Sequence, residues 1–334
     1  MTLRFGLIIF FFTIACVSCG KKTSSKKQFT DTNMVLPSNT GNVSELVLVI
    51  SDELWAGKVG DIISEVLQEN IKAIPQQEAL FDIYNIEAKD FSSIFKTHKN
   101  ILWISNSEDE VFERVDQMWA KDQLYVRLSN ASKETLINNV KDHIYTIRSW
   151  FLGKDQQRRL KKLKMTADKE IEKQLQKSYG LSVTIPDGYQ IASSEENFIW
   201  LRKDNPKANI ISNIWIHSQT YLGPEQFNID NLIALRDSLG KAHVGGARAQ
   251  SFMATEMLYS PDYRLVKEVP YTIETKGLWT MVNDFLGGAY TAYAVLDKEK
   301  QRIVYAEGFI YCPSERKRSH IFELEAILSD LKLN

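Results

Sequence analysis

Two glutamates lie where a carboxylate could carry out acid–base chemistry. Glu78 and Glu307 are each close to aromatic residues in the chain, and burial beside such residues raises the pKa of a carboxyl group. Two converging carboxylates are what a glycoside hydrolase requires. Glutamates of this kind are more often surface or structurally bonded groups. We therefore treat both as candidate binding residues and keep hydrolysis as the alternative.

A tryptophan and two glycines mark a strand-to-helix turn that could hold an anion. Trp55, Gly57 and Gly60 separate an apolar run of strand length from a helical pattern. Glycines permit close approach of a ligand to the backbone, and the free N–H groups at a helix N-terminus attract negative charge. The alternative explanation is a tight turn with a packed tryptophan.

A second set of aromatic and glycine residues brackets a predicted strand in the last third of the chain. Trp279 lies before the glycine pair Gly287 and Gly288, and Tyr290 follows it. The two aromatic rings would then lie on neighbouring strands beside a turn that the glycines make adaptable. This pattern predicts either an aromatic ligand groove or the packed core of a hairpin.

Two clusters of basic residues are candidates for binding an anionic group. Lys317 and Arg318 stand at the predicted start of the last helix, where the helix dipole already favours an anion. The second cluster, in residues 158–164, could contact lipid phosphates or an acidic partner. For both clusters the alternative is a solvated surface.

The sequence contains no recognised catalytic or cofactor motif. A nucleophile elbow, a P-loop, a dinucleotide-binding glycine pattern and a zinc-protease motif are all absent. The five histidines have no ligand spacing, so we predict no metal and no cofactor. With 41 Lys and Arg against 42 Asp and Glu, the chain has no net field that would attract nucleic acid.

The amino terminus has the pattern of an export signal. Arg4 precedes an apolar run shorter than the roughly 20 residues that a membrane span needs. The small residues beside Cys19 resemble the lipobox that lipoprotein signal peptidase recognises, with Cys16 as the alternative acceptor. We expect residues 1–18 to be removed, Cys19 to carry lipid, and residues 19–35 to form a flexible polar tether.

Hydrophobic periodicity predicts an α+β protein with two domains joined by helix. Residues 36–130 show the order βαββαβ of a ferredoxin-like fold, whose second helix would contain Val111 and Trp119. Residues 131–178 form a linking helix or helices. Residues 179–334 contain a mostly antiparallel sheet with two helices. At 334 residues, the chain is long enough for each domain to bury a core.

The second domain resembles the Mog1/PsbP-like α/β sandwich in its pattern. The resemblance rests on residues 183–189, which open the domain, and on the amphipathic helix that closes the chain. It implies a fold and assigns no ligand.

Short motifs along the body resemble a family of Bacteroidetes lipoproteins that is known as domain of unknown function family 4837. Ala79 and Ala289 stand where that resemblance would place proline. The resemblance implies an envelope context and supplies no reaction or catalytic residue. The matching stretches are Leu36-Pro-Ser38 with Gly41 and Glu45, Trp55-Ala-Gly57 with Gly60, Pro75-Gln-Gln-Glu78 with Phe81, Trp119-Ala120 with Gln123, Gly277-Leu-Trp279, Gly287-Gly288, and Glu307-Gly-Phe-Ile-Tyr311 with Pro313, Lys317 and Arg318.

Together these patterns predict a cell-envelope lipoprotein that binds without catalysis. Its partners would be the lipid bilayer, through the acylated amino terminus, and an envelope protein, glycan or lipid, but not nucleic acid. In lipoproteins of this kind acidic residues after the lipidated cysteine favour surface display. Residues 20–27 contain none, so we expect the protein in the outer membrane facing the periplasm. The alternatives are a carboxylate-dependent hydrolase of an envelope glycan or peptide, and a small-ligand carrier.

Overall fold

The structure is a computed structural model that describes residues 35–334. Within that range, Leu36–Asn334 form one compact unit. The expected signal peptide, both candidate lipidation cysteines and the tether up to residue 34 lie outside the described residues. Among the helices that are described, none is both long enough and apolar enough to cross a membrane.

The first half of the described chain builds a five-stranded sheet. Its elements are β1 (Glu45–Val49), α1 (Asp52–Trp55), α2 (Lys58–Leu67), β2 (Asp82–Ile86), β3 (Asn100–Asn106), β4 (Val111–Asp116) and β5 (Leu124–Asn130). The strand order is β2-β1-β3-β5-β4, and all neighbours are parallel except β5 and β4. Parallel neighbours need a crossover connection, which α1 and α2 supply between β1 and β2.

The ferredoxin-like topology predicted for residues 36–130 is wrong, because this sheet is mostly parallel and its predicted second helix is strand β4. Val111 and Val115 are four residues apart, which fits one face of a helix and equally one face of a strand. The prediction that β1 and β3 are central strands is confirmed by the strand order. Their uninterrupted apolar sequences are typical of strands covered on both faces.

The two faces of this sheet are covered by different structures. On one face, α2 and the first half of α4 (Lys133–Met165) form a continuous apolar core with the strands. On the other, a 3₁₀ turn (Ala88–Asp90) and α3 (Ser93–Lys96) bring aromatic rings onto the strands. Phe91, for example, meets Trp103 edge to face, with 5.3 Å between ring centroids. Helices thus pack on one face, and a short aromatic cluster covers the other.

The second half of the described chain builds an antiparallel sheet of eight strands, which confirms the mostly antiparallel sheet predicted for this half. The strands are β7 (Gln190–Ser194), β8 (Phe198–Asn205), β9 (Ile210–Thr220), β10 (Phe252–Thr255), β11 (Asp262–Glu268), β12 (Tyr271–Val282), β13 (Gly287–Asp297) and β14 (Arg302–Tyr311). The order is β10-β12-β13-β14-β9-β8-β7, and β11 pairs with the other half of β12. Two short strands, β6 (Leu181–Ser182) and β15 (Lys332–Leu333), pair separately.

Helices cover both faces of the second sheet, so this half has three layers. On one face lies α6 (Ile229–His243), which follows a 3₁₀ turn (Pro224–Phe227) and encloses a core rich in aromatic residues. On the other face lie α5 (Lys169–Tyr179) and α7 (Arg318–Ser329). The predicted α+β class is confirmed by this arrangement of sheets and helices.

Helix α4 contacts both halves of the described chain. Its first turns bury Leu136, Val140 and Ile144 beneath the first sheet. Its last turns approach α7, where the Lys164 ammonium lies 2.8 Å from the Asp330 carboxylate and Leu163 joins the second core. The predicted linking helix is therefore a packing element that fixes one half against the other.

Gly60 is required by the close approach of α1 to α2. A Cβ atom at this position would overlap the backbone carbonyl of Trp55, which belongs to the preceding helix. By contrast, Gly153 in the middle of α4 has no heavy atom within 4 Å of the place where a Cβ would stand. A side chain at position 60 would therefore clash with the neighbouring helix, whereas a side chain at position 153 would not.

We predict that Gly60→Ala lowers the free energy of unfolding by about 1–3 kcal/mol, because the added methyl forces α1 and α2 apart. Gly153→Ala is the matched control and should raise the same quantity by about 0.5–1 kcal/mol, since alanine favours the helix interior. Urea unfolding followed by circular dichroism measures both. Equal effects of the same sign would contradict this account of Gly60.

Candidate functional site

The start of α7 already holds an anion, and that anion belongs to the protein itself. The backbone N–H of Lys317 donates to Oε1 of Glu78 at 2.6 Å, and the backbone N–H of Arg318 donates to Oε2 at 3.1 Å. The carboxylate is buried. Negative charge is favourable at a helix N-terminus, and charged acceptors make strong hydrogen bonds. Glu78 thus occupies the anion position that the sequence predicts at this helix.

The side chain of Arg318 strengthens the same junction. Its Nη1 donates to the carbonyl of Ala79 at 2.7 Å, and the guanidinium forms an ion pair with Asp82. We call Glu78, Asp82 and Arg318 the carboxylate clamp, because they bind the segment before β2 to the start of α7. This structural contact therefore brings together three of the candidate residues from the sequence, which are Glu78, Lys317 and Arg318.

Glu307 lies in the closed core between α6 and the second sheet. Its side chain is fully buried and accepts hydrogen bonds from Arg236 at 3.1 Å and from the Tyr305 hydroxyl at 2.7 Å. Burial raises the pKa of the Glu307 carboxyl, while the positive charge of Arg236 opposes that rise. Arginine remains protonated in proteins, so the pair is an ion pair removed from solvent.

Two of the three guanidinium nitrogens of Arg236 have hydrogen-bond partners. Its Nη1 donates to the Thr255 hydroxyl at 3.2 Å, and that hydroxyl donates to Asp237 at 2.6 Å. The guanidinium also stacks over the ring of Tyr290, 4.1 Å from its centroid. Glu307 and Glu78 thus belong to separate structural networks, and neither lines an open cavity described below.

The aromatic and glycine segments also have packing roles. Trp279 is buried and its indole N–H donates to the carbonyl of Ile310 at 3.0 Å. A Cβ on Gly288 would overlap that same carbonyl, and one on Gly287 would lie 3.0 Å from the carbonyl of Trp279. These glycines allow β13 to approach its neighbours.

The residues of the turn before α2 also have packing and capping roles. Gly57 is the N-cap residue of α2, with extended backbone and no side chain to cap the helix. The Trp55 ring packs against the first core. Within residues 35–334, Trp55, Gly57 and Gly60 line neither of the two cavities described below.

The basic segment 158–164 is engaged by internal contacts. Arg158 donates to the Asp155 carboxylate at 2.6 Å and to the carbonyls of Lys99 and Asp122 at 2.7 and 2.6 Å. Lys161 pairs with Asp122 at 2.7 Å. This segment fastens α4 to the loops at the amino ends of the first sheet's strands.

An open cleft of about 700 Å³ lies between the two halves. The hydrolase alternative places a cleft between the domains near Glu78 or Glu307, but neither residue lines this one, and the sequence did not predict the residues that do. The walls of the cleft come from the segment after α2, from α4, from β11 and β12, and from α7. We call it the charged cleft. Its charged lining residues are Glu69, Lys72, Arg148, Asp155, Arg159, Asp262, Arg264, Lys267, Glu274, Lys276 and Glu325.

Every carboxylate in the lining of the charged cleft has a cation partner. The pairs are Glu69 with Arg148, Asp155 with Arg158, Asp262 with Lys72, Glu274 with Arg264, and Glu325 with Lys276. Lys276 also lies 3.4 Å from Glu274. Burial by itself would lower the pKa of Lys276, but the Glu325 and Glu274 carboxylates outweigh it and hold that pKa above its ordinary value.

Two cations in the lining have no carboxylate partner within 4.0 Å among the described residues. These are Arg159 and Lys267. Arg159 donates one hydrogen bond, from Nη1 to the carbonyl of Ser319 at 3.1 Å, and lies over the ring of Phe322. Its Nη2 is buried and finds no hydrogen-bond partner in the described part of the protein. Burial lowers the pKa of Arg159, yet a guanidinium stays charged.

The cleft can therefore bind an anion more readily than it can transfer a proton. Its carboxylates are neutralised by cations, while Arg159 retains an unsatisfied donor. No group of three metal-binding side chains occurs in residues 35–334. One signal in the sequence could have revealed the cleft: Glu274 and Lys276 are charged residues at alternate positions of a strand that is otherwise largely buried.

Two families of unknown function match the two halves of the chain. Residues 168–330 match the family model Domain of unknown function (DUF4837). Residues 39–164 match a different one, Domain of unknown function (DUF8532). The family number drawn from the sequence therefore agrees with the model that matches residues 168–330, while residues 39–164 match a separate model. No curated protein matches the chain.

Solved structures with partial similarity cover about half of the chain. The Ran-binding protein Mog1p of Saccharomyces cerevisiae has 7% sequence identity and a TM-score of 0.32, covering 46% of this chain and 90% of its own. Human StAR-related lipid transfer protein 5 has 7% identity and a TM-score of 0.22, covering 52% and 95%. Similarity at these scores carries no argument about function.

We predict that Glu307→Leu lowers the free energy of unfolding by about 3–5 kcal/mol, because Arg236 is then buried without its partner. The double variant Glu307→Leu with Arg236→Met should regain most of that loss, since both buried charges are gone. Urea denaturation measures the cycle. A double variant as unstable as the single one would contradict a coupled pair.

Proposed function

We propose that this protein is a lipid-anchored component of the cell envelope whose body binds a small anionic ligand in the charged cleft without catalysing a reaction. The anchor would be Cys19 after removal of residues 1–18, and the partner of that anchor would be the bilayer. We place the protein in the outer membrane, facing the periplasm. The two matching families have no assigned activity, so the proposal depends on the chain itself.

The observation that carries the binding proposal is that Nη2 of Arg159 is buried and has no hydrogen-bond acceptor among the described residues. A buried guanidinium nitrogen without a partner is costly, because it has lost water and gained no acceptor. Arg159 lines the cleft with other atoms of its side chain, so an anionic ligand would supply the missing acceptor after the guanidinium turns Nη2 toward the cleft. The carboxylates that line the cleft do not compete for Arg159, since each already contacts another cation. Glu323, which is outside the lining, acts on Arg159 only through its charge and accepts no hydrogen bond from it. A cleft of about 700 Å³ lies within the size range of small-molecule sites.

The same contacts weigh against the hydrolase alternative. Glu78 holds two backbone N–H groups and Glu307 holds a buried arginine. A general acid or base must reach the substrate with the proton-exchanging oxygen. Neither carboxylate lines the charged cleft, and they belong to different cores. Turnover of an envelope glycan or peptide that disappears in both Glu274→Gln and Glu325→Gln variants would favour hydrolysis instead.

The anchor proposal predicts a difference between two neighbouring cysteines. Cells that express Cys19→Ala should incorporate no radiolabelled palmitate into the protein, because the acceptor thiol is missing. Cys16→Ala is the matched control and should keep the label, since that residue lies in the removed segment. Labelling that is lost with Cys16→Ala and retained with Cys19→Ala would move the anchor to Cys16.

The binding proposal predicts that an aryl sulfonate dye, anilinonaphthalene sulfonate, binds in the cleft through Arg159. Arg159→Gln should weaken binding about tenfold, which corresponds to the loss of one hydrogen bond to a charged group. Lys162→Gln removes an exposed positive charge from the same helix outside the cleft and should leave the affinity unchanged. Fluorescence titration of the chain without residues 1–18 measures both. Equal losses would contradict a specific site.

A further inference from the structure

A second cavity of about 450 Å³ adjoins the charged cleft. Lys267 and Tyr293 line both, so the two cavities share a border. The second cavity lies under the turn between β11 and β12, between β13 and the end of the chain after α7. We call it the apolar cavity, because its walls differ in chemistry from those of the charged cleft.

The apolar cavity has a hydrocarbon floor and a rim that includes charged residues, which are Lys267, Glu268, Asp297, Lys298, Glu299 and Lys332. Val295, Leu296 and Leu328 are buried at its base. Leu331 and Leu333 are half-buried beside them, while Val269 is exposed at the rim. Pockets of this size that combine apolar side chains with a limited number of polar groups are typical of small-molecule sites.

We propose that the charged cleft and the apolar cavity together bind a single-chain anionic lipid, that is, an acyl chain with a carboxylate or phosphate head group. This inference deepens the proposed function and rests on it. The head group would lie in the charged cleft, whose two cations without carboxylate partners are Lys267, at the shared border, and Arg159, which lines the charged cleft alone. The chain would lie along Leu328 and Leu331.

The chemistry of the two cavities requires both parts of such a ligand. A small inorganic anion would satisfy Arg159 and leave the apolar cavity hydrated. A neutral hydrocarbon would fill the apolar cavity and leave Arg159 without an acceptor. An anionic amphiphile does both at once, because each methylene gains free energy on leaving water and the head group supplies the acceptor.

An extended peptide fits the same walls less well. The strand beside both cavities, β11, is an edge strand that pairs with β12 on one side. Its register shifts between Leu265 and Lys267, and β-bulges with charged side chains are devices that prevent further strands from adding to an edge. The geometry of β11 thus disfavours pairing with a peptide backbone.

The test measures the binding of fatty acids of increasing length to the purified protein without residues 1–18. Octanoate, decanoate and dodecanoate would compete with anilinonaphthalene sulfonate, and calorimetry would confirm the affinities. We expect affinity to rise about fifteenfold for each pair of methylenes until the cavity is full. Dodecanol should bind at least tenfold more weakly than dodecanoate, because it lacks the charge. A dodecyl phosphate that binds more tightly than dodecanoate would identify phosphate as the preferred head group.

Substitutions in the apolar cavity test where the acyl chain of the ligand lies. Leu331→Gln should flatten the chain-length dependence, and Leu222→Gln, an exposed residue outside both cavities, should leave it unchanged. Val269→Gln is the second variant if Leu331→Gln does not fold, because Val269 is 89% exposed. The same affinity for all chain lengths would overturn this inference and leave Arg159-dependent dye binding, and thus the proposed function, intact. Failure of both the dye and the acids to bind would overturn both.

Discussion

A single buried carboxylate sets the relation between the two halves of this protein. Glu78 accepts hydrogen bonds from two backbone N–H groups at the start of α7, 239 and 240 residues further along the chain. The segment that carries it is itself held by backbone bonds, such as that from Ile71 N–H to the Glu78 carbonyl at 2.8 Å. Because the same segment and α7 both line the charged cleft, this carboxylate joins two of the cleft's walls, in addition to the packing of α4 on both halves.

The charged cleft stays open for a related electrostatic reason. Closing it would remove water from five ion-paired carboxylates, and desolvation of charges is costly even when they are paired. The floor of the apolar cavity next to it, formed by residues such as Val295, Leu328 and Leu331, gains stability when a hydrocarbon covers it. A protein with these two neighbouring surfaces presents a polar opening and an apolar end to the same ligand.

The sequence predicts local elements well and long-range contacts poorly. The apolar runs of β1 and β3 predict central strands, and the periodicity of α4 predicts a long helix, because burial acts directly on these patterns. A helix was wrongly predicted at Val111 and Val115, since their spacing fits both helix and strand. Glu78, Lys317 and Arg318 are each recognisable in the sequence as candidates, but nothing in the sequence shows that the first binds the other two.

The charged cleft escaped prediction for the same reason. Its lining comes from five separated segments, and each charged residue in it looks like an ordinary surface residue when read alone. Arg159 stands in a basic run in which Arg158, Lys161 and Lys164 form ion pairs and Lys162 is exposed, so its unsatisfied nitrogen is visible in three dimensions and not in the sequence. Such sites depend on which side chains remain unpaired after folding, and the chain order does not encode this locally.

The most direct test of the account is a crystal structure of the chain with dodecanoate that carries bromine at the end of its acyl chain. Anomalous scattering locates the bromine independently of the lighter atoms. The account predicts a bromine peak in the apolar cavity beside Leu328 and Leu331, with the carboxylate on the side of Lys267 and Arg159. A bromine peak elsewhere on the surface, with both cavities filled by water, would contradict it.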